Sequence, residues 1–183
     1  MEQILNPLHL ACIADEFRYN LRLIEIKNNI ATATNGTILV KVDLTKTSNL
    51  LPEQLKIFEG KYIDMEVWKE IYKCDSLEVD DEFIRCNKDG ITKIFEYSLP
   101  QGEFFKTDSI VLDLKESGES PVLTVGFTPK SLTIVSKIFQ SDTLVMNFNG
   151  IDKGVFAHGG VDSGMFAVIM PQRIENTNRY FFI

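Results

Sequence analysis

The 183-residue sequence predicts an α+β protein dominated by antiparallel strands, and three observations predict it. Runs of alternating apolar and polar residues recur between dipeptides that tolerate positive φ, the signature of β-hairpins. Three amphipathic stretches at helical spacing interrupt those runs. The two kinds of segment also follow a fixed order: a short strand, a short helix, then three antiparallel strands. The repeat units begin near Gln3, Lys61 and Leu123, and a repeat is itself a statement about architecture.

The first helix is expected over residues 6–19, with Asn6 as N-cap and Pro7 in the first turn. Strands follow over 21–27, which alternates as L-R-L-I-E-I-K, then over 30–34 and 38–44, with turns at Asn28-Asn29 and Asn35-Gly36. A second helix is expected over 64–74. Asp64 caps it, and Val67, Trp68, Ile71 and Cys74 make its apolar stripe. Strands over 77–79, 83–86 and 91–99 come next, the last two joined at Asp89-Gly90. Residues 106–121 read as a link without a helix, holding one strand-like run, 109–114, and a polar turn, 115–120. The third helix is expected over 128–139, capped by Thr128, with Pro129 in its first turn and Leu132, Val135 and Ile138 or Phe139 as its stripe. Strands over 144–149, 154–158 and 165–171 close the pattern, with turns at Asn149-Gly150 and Gly159-Gly160. Two domains are expected, 1–105 with two repeat units and 106–183 with an abbreviated one.

Composition limits the function. At 44% hydrophobic residues the chain can bury a core, and no window approaches the roughly 18 apolar residues of a membrane span. The N-terminal segment carries acids and a proline, unlike a secretory signal. Three cysteines, Cys12, Cys74 and Cys86, form no C-x-x-C; they read as core fillers in a reducing cytoplasm, with no zinc site. Nineteen Lys and Arg against 26 Asp and Glu leave a net charge of −7, which argues against a uniformly basic nucleic-acid binder but leaves a local patch open. Enzymatic motifs are missing. His9 and His158 are far apart, His158-Gly159-Gly160 has no G-x-S-x-G to serve, and Asp80-Asp81-Glu82 lacks a partner at metal-binding spacing. No cofactor is implied.

Two stretches carry a resemblance. Residues 21–44 contain Ala33-Thr34-Asn35-Gly36-Thr37-Ile38-Leu39, and residues 125–174 run from V-G-F-T-P-K to Val168-Ile169-Met170-Pro171-Gln172-Arg173-Ile174. The first resembles the A-T-D-G-H-R-L hairpin of the bacterial sliding clamp, the beta subunit of DNA polymerase III. The second is similar to the clamp's last domain, which ends V-M-P-M-R-L. Residues 58–105 echo the middle domain through Tyr97-Ser98-Leu99 and Gly102-Glu103-Phe104. The registration matches the family's second and third domains, the first being absent and the last shortened. The resemblance therefore implies a DNA-clamp-like fold.

Clamps do no chemistry. They encircle duplex DNA and tether a polymerase through a short peptide. The resemblance implies a non-catalytic, cytoplasmic accessory protein with two surfaces. One is a helix-lined, DNA-facing surface, for which Lys130 and Lys137 on the third helix, Lys69 and Lys73 on the second, and Arg18 at the end of the first are the candidates. The other is a partner-peptide cleft formed by Thr34, Gly36, Thr37, Ile38 and Leu39 with Val168, Ile169, Met170, Pro171, Gln172, Arg173 and Ile174. Thr37-Ile38 stand where the family has His-Arg, and Gln172 where it has a second Met. Two domains per chain would need self-association into a trimer to close a six-domain ring. A clamp-derived interaction module that never encircles DNA is the alternative. The aromatic tail 178–183 asks for burial, either in the cleft or against the domain surface. Clamps share the acidic balance, their positive charge being confined to the channel.

Overall fold

The hairpin dipeptides organise the molecule. In the computed structural model, which describes residues 4–15, 17–116, 125–148, 153–160 and 162–172, ten strands form two antiparallel sheets. Strands β1 (Leu23–Lys27) and β2 (Ile30–Thr34) are joined by Asn28 and Asn29, both at positive φ, as a tight hairpin turn requires. β3 (Ile38–Asp43) pairs with β2, and β4 (Tyr62–Asp64) returns to pair with β1. β5 (Ser76–Val79), β6 (Phe83–Lys88) and β7 (Ile91–Glu96) make a separate three-stranded sheet. β8 (Val145–Asn147), β9 (Val155–His158) and β10 (Met165–Ile169) complete the larger one, in which β10 lies against β3. Its order is β4-β1-β2-β3-β10-β9-β8, so one continuous sheet crosses residue 106.

Among the described residues five α-helices accompany the strands. Helices α1 (Leu44–Thr47) and α2 (Pro52–Phe58) fall in a stretch for which no element was expected. Their start signals are local: Asp43 accepts the Thr45 N–H at 3.0 Å, and Gln54 Oε1 accepts the Leu51 N–H at 2.8 Å ahead of Pro52. Helix α3 (Met65–Ile71) starts where Asp64 accepts the Glu66 N–H at 2.9 Å. Helix α5 (Pro129–Phe139) ends at Gln140 in the left-handed conformation, and Val135, Ile138 and Phe139 are buried. Both agree with the apolar stripes in the sequence.

Two expectations are corrected. Residues 6–19 do not form an α-helix. One turn of 3-10 helix spans Leu8–Ala11, the chain is extended at Cys12, and a second 3-10 turn spans Tyr19–Arg22. Tertiary bonds outcompete the local cap. The Asn6 side chain donates to the Ile138 carbonyl at 3.0 Å, and the Asn6 carbonyl accepts the Trp68 indole N–H at 2.8 Å. Beyond Cys12, the Ile13 N–H is bonded to the Leu21 carbonyl. Arg18 therefore sits in an irregular turn, its guanidinium on Asp15 at 2.7 Å. The second correction is helix α4 (Thr107–Glu116), which occupies the supposedly helix-free link. A short apolar run is ambiguous between strand and helix, and packing of Val111 on Leu39 and Val168 resolves it here.

One core joins both sheets to α3, α5 and the Leu8–Ala11 turn. Trp68 and Phe58 are its largest members, and neither is exposed at all. Cys74 and Cys86, expected as unpaired thiols, are disulfide-bonded, with Cα atoms 5.6 Å apart, and tie the end of α3 to β6. The inference of a reducing compartment rested on three unpaired thiols, so the pairing removes its support. Cys12 is free and half-buried, and desolvation pushes its thiol up to about 12, so it is no nucleophile. Among the described residues no helix is long and apolar enough to cross a membrane.

Candidate functional site

Strand alternation decides which residues reach which side of the larger sheet. Ile38, Val40, Val42, Ala167 and Ile169 belong to the main core beneath α3 and α5. Leu39 and Val168 belong to the opposite side, where Val111 of α4, Phe156 and Phe166 cover them. Leu39 and Val168 of the cleft candidates therefore lie on the side of the sheet away from α3 and α5, while Ile38 and Ile169 belong to the core between.

On the α4 side lies an apolar cleft of about 160 Å³. Seven of the twelve residues proposed from the sequence line it: Thr34, Gly36, Thr37, Ile38, Leu39, Val168 and Met170. The β2–β3 tip is held by its own side chains. Asn35 Oδ1 accepts the Thr37 and Ile38 N–H groups at 2.9 and 3.0 Å, and Thr34 Oγ1 donates to the Ile38 carbonyl at 2.7 Å. Gly36 adopts φ +89°, which a side-chain-bearing residue would resist. The Met170 N–H donates to the Thr37 carbonyl at 2.9 Å, pinning the end of β10 to this tip.

Of the remaining five, the three that are described do not line the cleft. Ile169 points into the core and is fully buried. Pro171 follows the end of β10, and Gln172 turns toward α5, its backbone N–H on the Gly126 carbonyl and its amide on Thr128 Oγ1, both at 2.8 Å. Arg173 and Ile174 lie outside the described residues, as does the tail 178–183. Conversely, Leu21, Phe105, Thr107 and Ile110 line the cleft without having been singled out. Three of these lie in or beside α4, so reading 106–121 as a featureless link concealed them. Phe105, Ile110 and Met170 are exposed by 40–45%, leaving an open apolar rim.

An ion pair fixes α4 beside the cleft. Lys41, largely buried on β3, is bonded to Asp108 in the first turn of α4, and this holds the Asp108 carboxyl below the usual carboxylate range. Next to it a larger cavity of about 820 Å³ lies between the sheet and the segment entering α4. Burial pushes the Glu25 carboxyl there upward, opposed by the Tyr62 hydroxyl, which donates to it at 3.2 Å. This cavity carries lysines and carboxylates in equal number and selects for neither charge.

The opposite side carries the lysine candidates. Helices α3 and α5 both pack on the Leu8–Ala11 turn. Lys69 on α3, Lys73 in the turn that follows it, and Lys130 and Lys137 on α5 are all exposed. Lys69 is paired with Glu66 at 3.1 Å, and the Lys73 ammonium stands 5.1 Å from the centre of the Tyr72 ring. His9 lies beneath them, its ring 4.9 Å from that of Tyr72. Burial, reinforced by Lys69 and Lys73, lowers its pKa to about 4. Among the described residues no group of three or more His, Cys, Asp or Glu could hold a metal ion.

No protein-family model and no curated protein matches the chain. Solved structures do. The chain superposes on the DNA polymerase sliding clamp of Caulobacter crescentus with a TM-score of 0.62 at 15% identity, covering 93% of this chain and 65% of that one. For the Bacillus subtilis clamp the TM-score is 0.62 at 12% identity, covering 93% and 64%. For the griselimycin-bound Pseudomonas aeruginosa clamp it is 0.60 at 12%, covering 91% and 61%. The fold is therefore that of the bacterial DNA polymerase III beta sliding clamps, and the chain spans less than two thirds of their length.

Proposed function

We propose that this chain is a clamp-like processivity factor, a non-catalytic accessory protein whose lysine-bearing side meets duplex DNA and whose cleft holds a short hydrophobic segment of a DNA polymerase or another partner. The observation that carries this reading is the convergence of the β2–β3 tip, the end of β10 and α4 on one apolar cleft, with α3 and α5 on the other side of the same sheet. A tether must hold DNA and partner at once, and surfaces separated by a sheet do so without competing.

The lining suits peptide capture. Leu39 and Val168 form an apolar floor, while Ile110, Phe105 and Met170 gain burial only when something covers them. Thr37 and Ile38 leave the mouth without charge from the chain itself, which favours an uncharged anchor side chain. The test is binding of a labelled leucine- and phenylalanine-containing peptide to the wild type and to Met170→Glu. Placing a carboxylate on the rim should weaken binding at least about tenfold, and an unchanged affinity sinks the cleft.

The ring is tested separately. A chain that supplies two of six ring domains would close as a trimer, read by mass in solution and by salt-sensitive retention on circular but not linear duplex DNA. The pairing of Lys69 with Glu66 and the net charge of −7 favour one alternative, an interaction module that keeps the cleft and does not encircle DNA. A strict monomer at micromolar concentration with peptide binding intact would select it.

A further inference from the structure

The turn between β6 and β7 carries cations that the helix pattern does not include. Lys88 and Lys93 of that hairpin converge with Lys69 of α3 and Lys73 just past its end on a concave pocket of about 360 Å³, where the acids are Glu70 and Asp89. Cations outnumber anions there, against the negative balance of the whole chain. Lys93 is paired with Glu70 and Lys69 with Glu66, but among the described residues neither Lys73 nor Lys88 makes an ion pair. The pocket is also pre-formed. Asp89 and Gly90 hold the tight turn at φ 50° and 78°, the Asp89 N–H is bonded to Asp75 at 2.9 Å, and the Cys74–Cys86 disulfide fastens β6 to the end of α3.

We propose that this pocket seats a backbone phosphate of duplex DNA, so that the β6–β7 hairpin, together with α3, forms part of the DNA-contacting surface. The proposal rests on the reading of the lysine-bearing side as the DNA side. Ammonium groups on flexible stems neutralise a phosphate without reading a base, which is what a sequence-independent contact requires. A polymer is favoured over a single phosphate compound because Lys130 and Lys137 continue the exposed positive charge on α5, the other helix packed on the Leu8–Ala11 turn.

The experiment measures affinity for labelled duplexes of two unrelated sequences across a salt series, using the full chain. Lys88→Gln/Lys93→Gln should weaken binding about five- to tenfold on both sequences and reduce the slope of log K against log salt by about one to two. Lys27→Gln/Lys106→Gln, which removes the same charge from the α4 side, should change neither. If the hairpin variant loses its fold with the Lys93–Glu70 pair, Lys88→Gln alone reads the same contact, because Lys88 has no ion pair to break. Wild-type affinity in the hairpin variant, while Lys130→Gln/Lys137→Gln weakens binding, overturns this pocket and leaves the broader reading standing. Equal losses in the hairpin variant and the α4-side control overturn it too, since net charge alone would then explain them. No duplex binding by the wild type overturns both.

Discussion

The two sides of the seven-stranded sheet are covered to very different depths. Beneath α3 and α5, Trp68, Phe58, Ile63, Ile71 and the inward residues of β1–β3 share one contiguous core and are completely buried. On the other side, among the described residues, Leu39, Val111 and Val168 form a small buried cluster with Phe156 and Phe166 packed against it, and Phe105, Ile110 and Met170 beside it stay open. The same alternating strands feed both, so the difference comes from what packs on them. Among the described residues one side is filled to exclude water, and the other keeps Phe105, Ile110 and Met170 in contact with it.

The sharpest way to break that contrast is to hollow out the deep side. Trp68→Ala removes a fully buried indole and its bond to the Asn6 carbonyl, and should cost about 3–5 kcal/mol in denaturant unfolding. Protein that remains folded should bind the cleft peptide normally, and a parallel loss of affinity would show that the two sides are not independent. His9 probes the same side through pH. Its folded pKa near 4 lies below an ordinary value near 6.5, so the unfolded chain takes up the proton first. Stability from this group is complete above pH 6.5 and is lost as pH falls toward 4, by on the order of 2–3 kcal/mol. His9→Leu should flatten that window, and a slope that persists would refute the assignment. The thin side gives the smallest effect. Val111→Ala should cost only about 1–2 kcal/mol in denaturant unfolding, because it deletes two methyl groups where Trp68→Ala deletes an indole, and a cost rivalling that of Trp68 would mean that α4 is as deeply anchored as the helices opposite.

Local chemistry was legible in the sequence and long-range chemistry was not. Asn28-Asn29 and Asp89-Gly90 announce hairpins because the turn itself demands positive φ. Asp64 and the spacing of Trp68 and Ile71 announce α3 because cap and stripe lie within one helix. Asn6 looked like a cap and is a tertiary tie, since its best partners, Ile138 and Trp68, are remote in sequence. The helical state of 107–116 is likewise tied to Leu39 and Val168, which no window around α4 contains. The cleft was half legible for the same reason. Its hairpin and terminal strand carry motifs, while Leu21, Phe105 and Ile110 belong to it only by position. Lys88 and Lys93 read as hairpin lysines until the fold sets them beside Lys69 and Lys73.

The pairing of β3 with β10 has a consequence for how the chain reaches its native state. These strands lie near opposite ends of the sequence, and each supplies one wall of the cleft. The β1–β2–β3 hairpins can close as soon as they are synthesised, but the cleft waits until β10 emerges and finds β3, a contact of high sequence separation and correspondingly slow formation. A ligand of the cleft therefore engages only molecules in which β10 has docked on β3. Until then the side of β3 away from β2 is an unpaired edge.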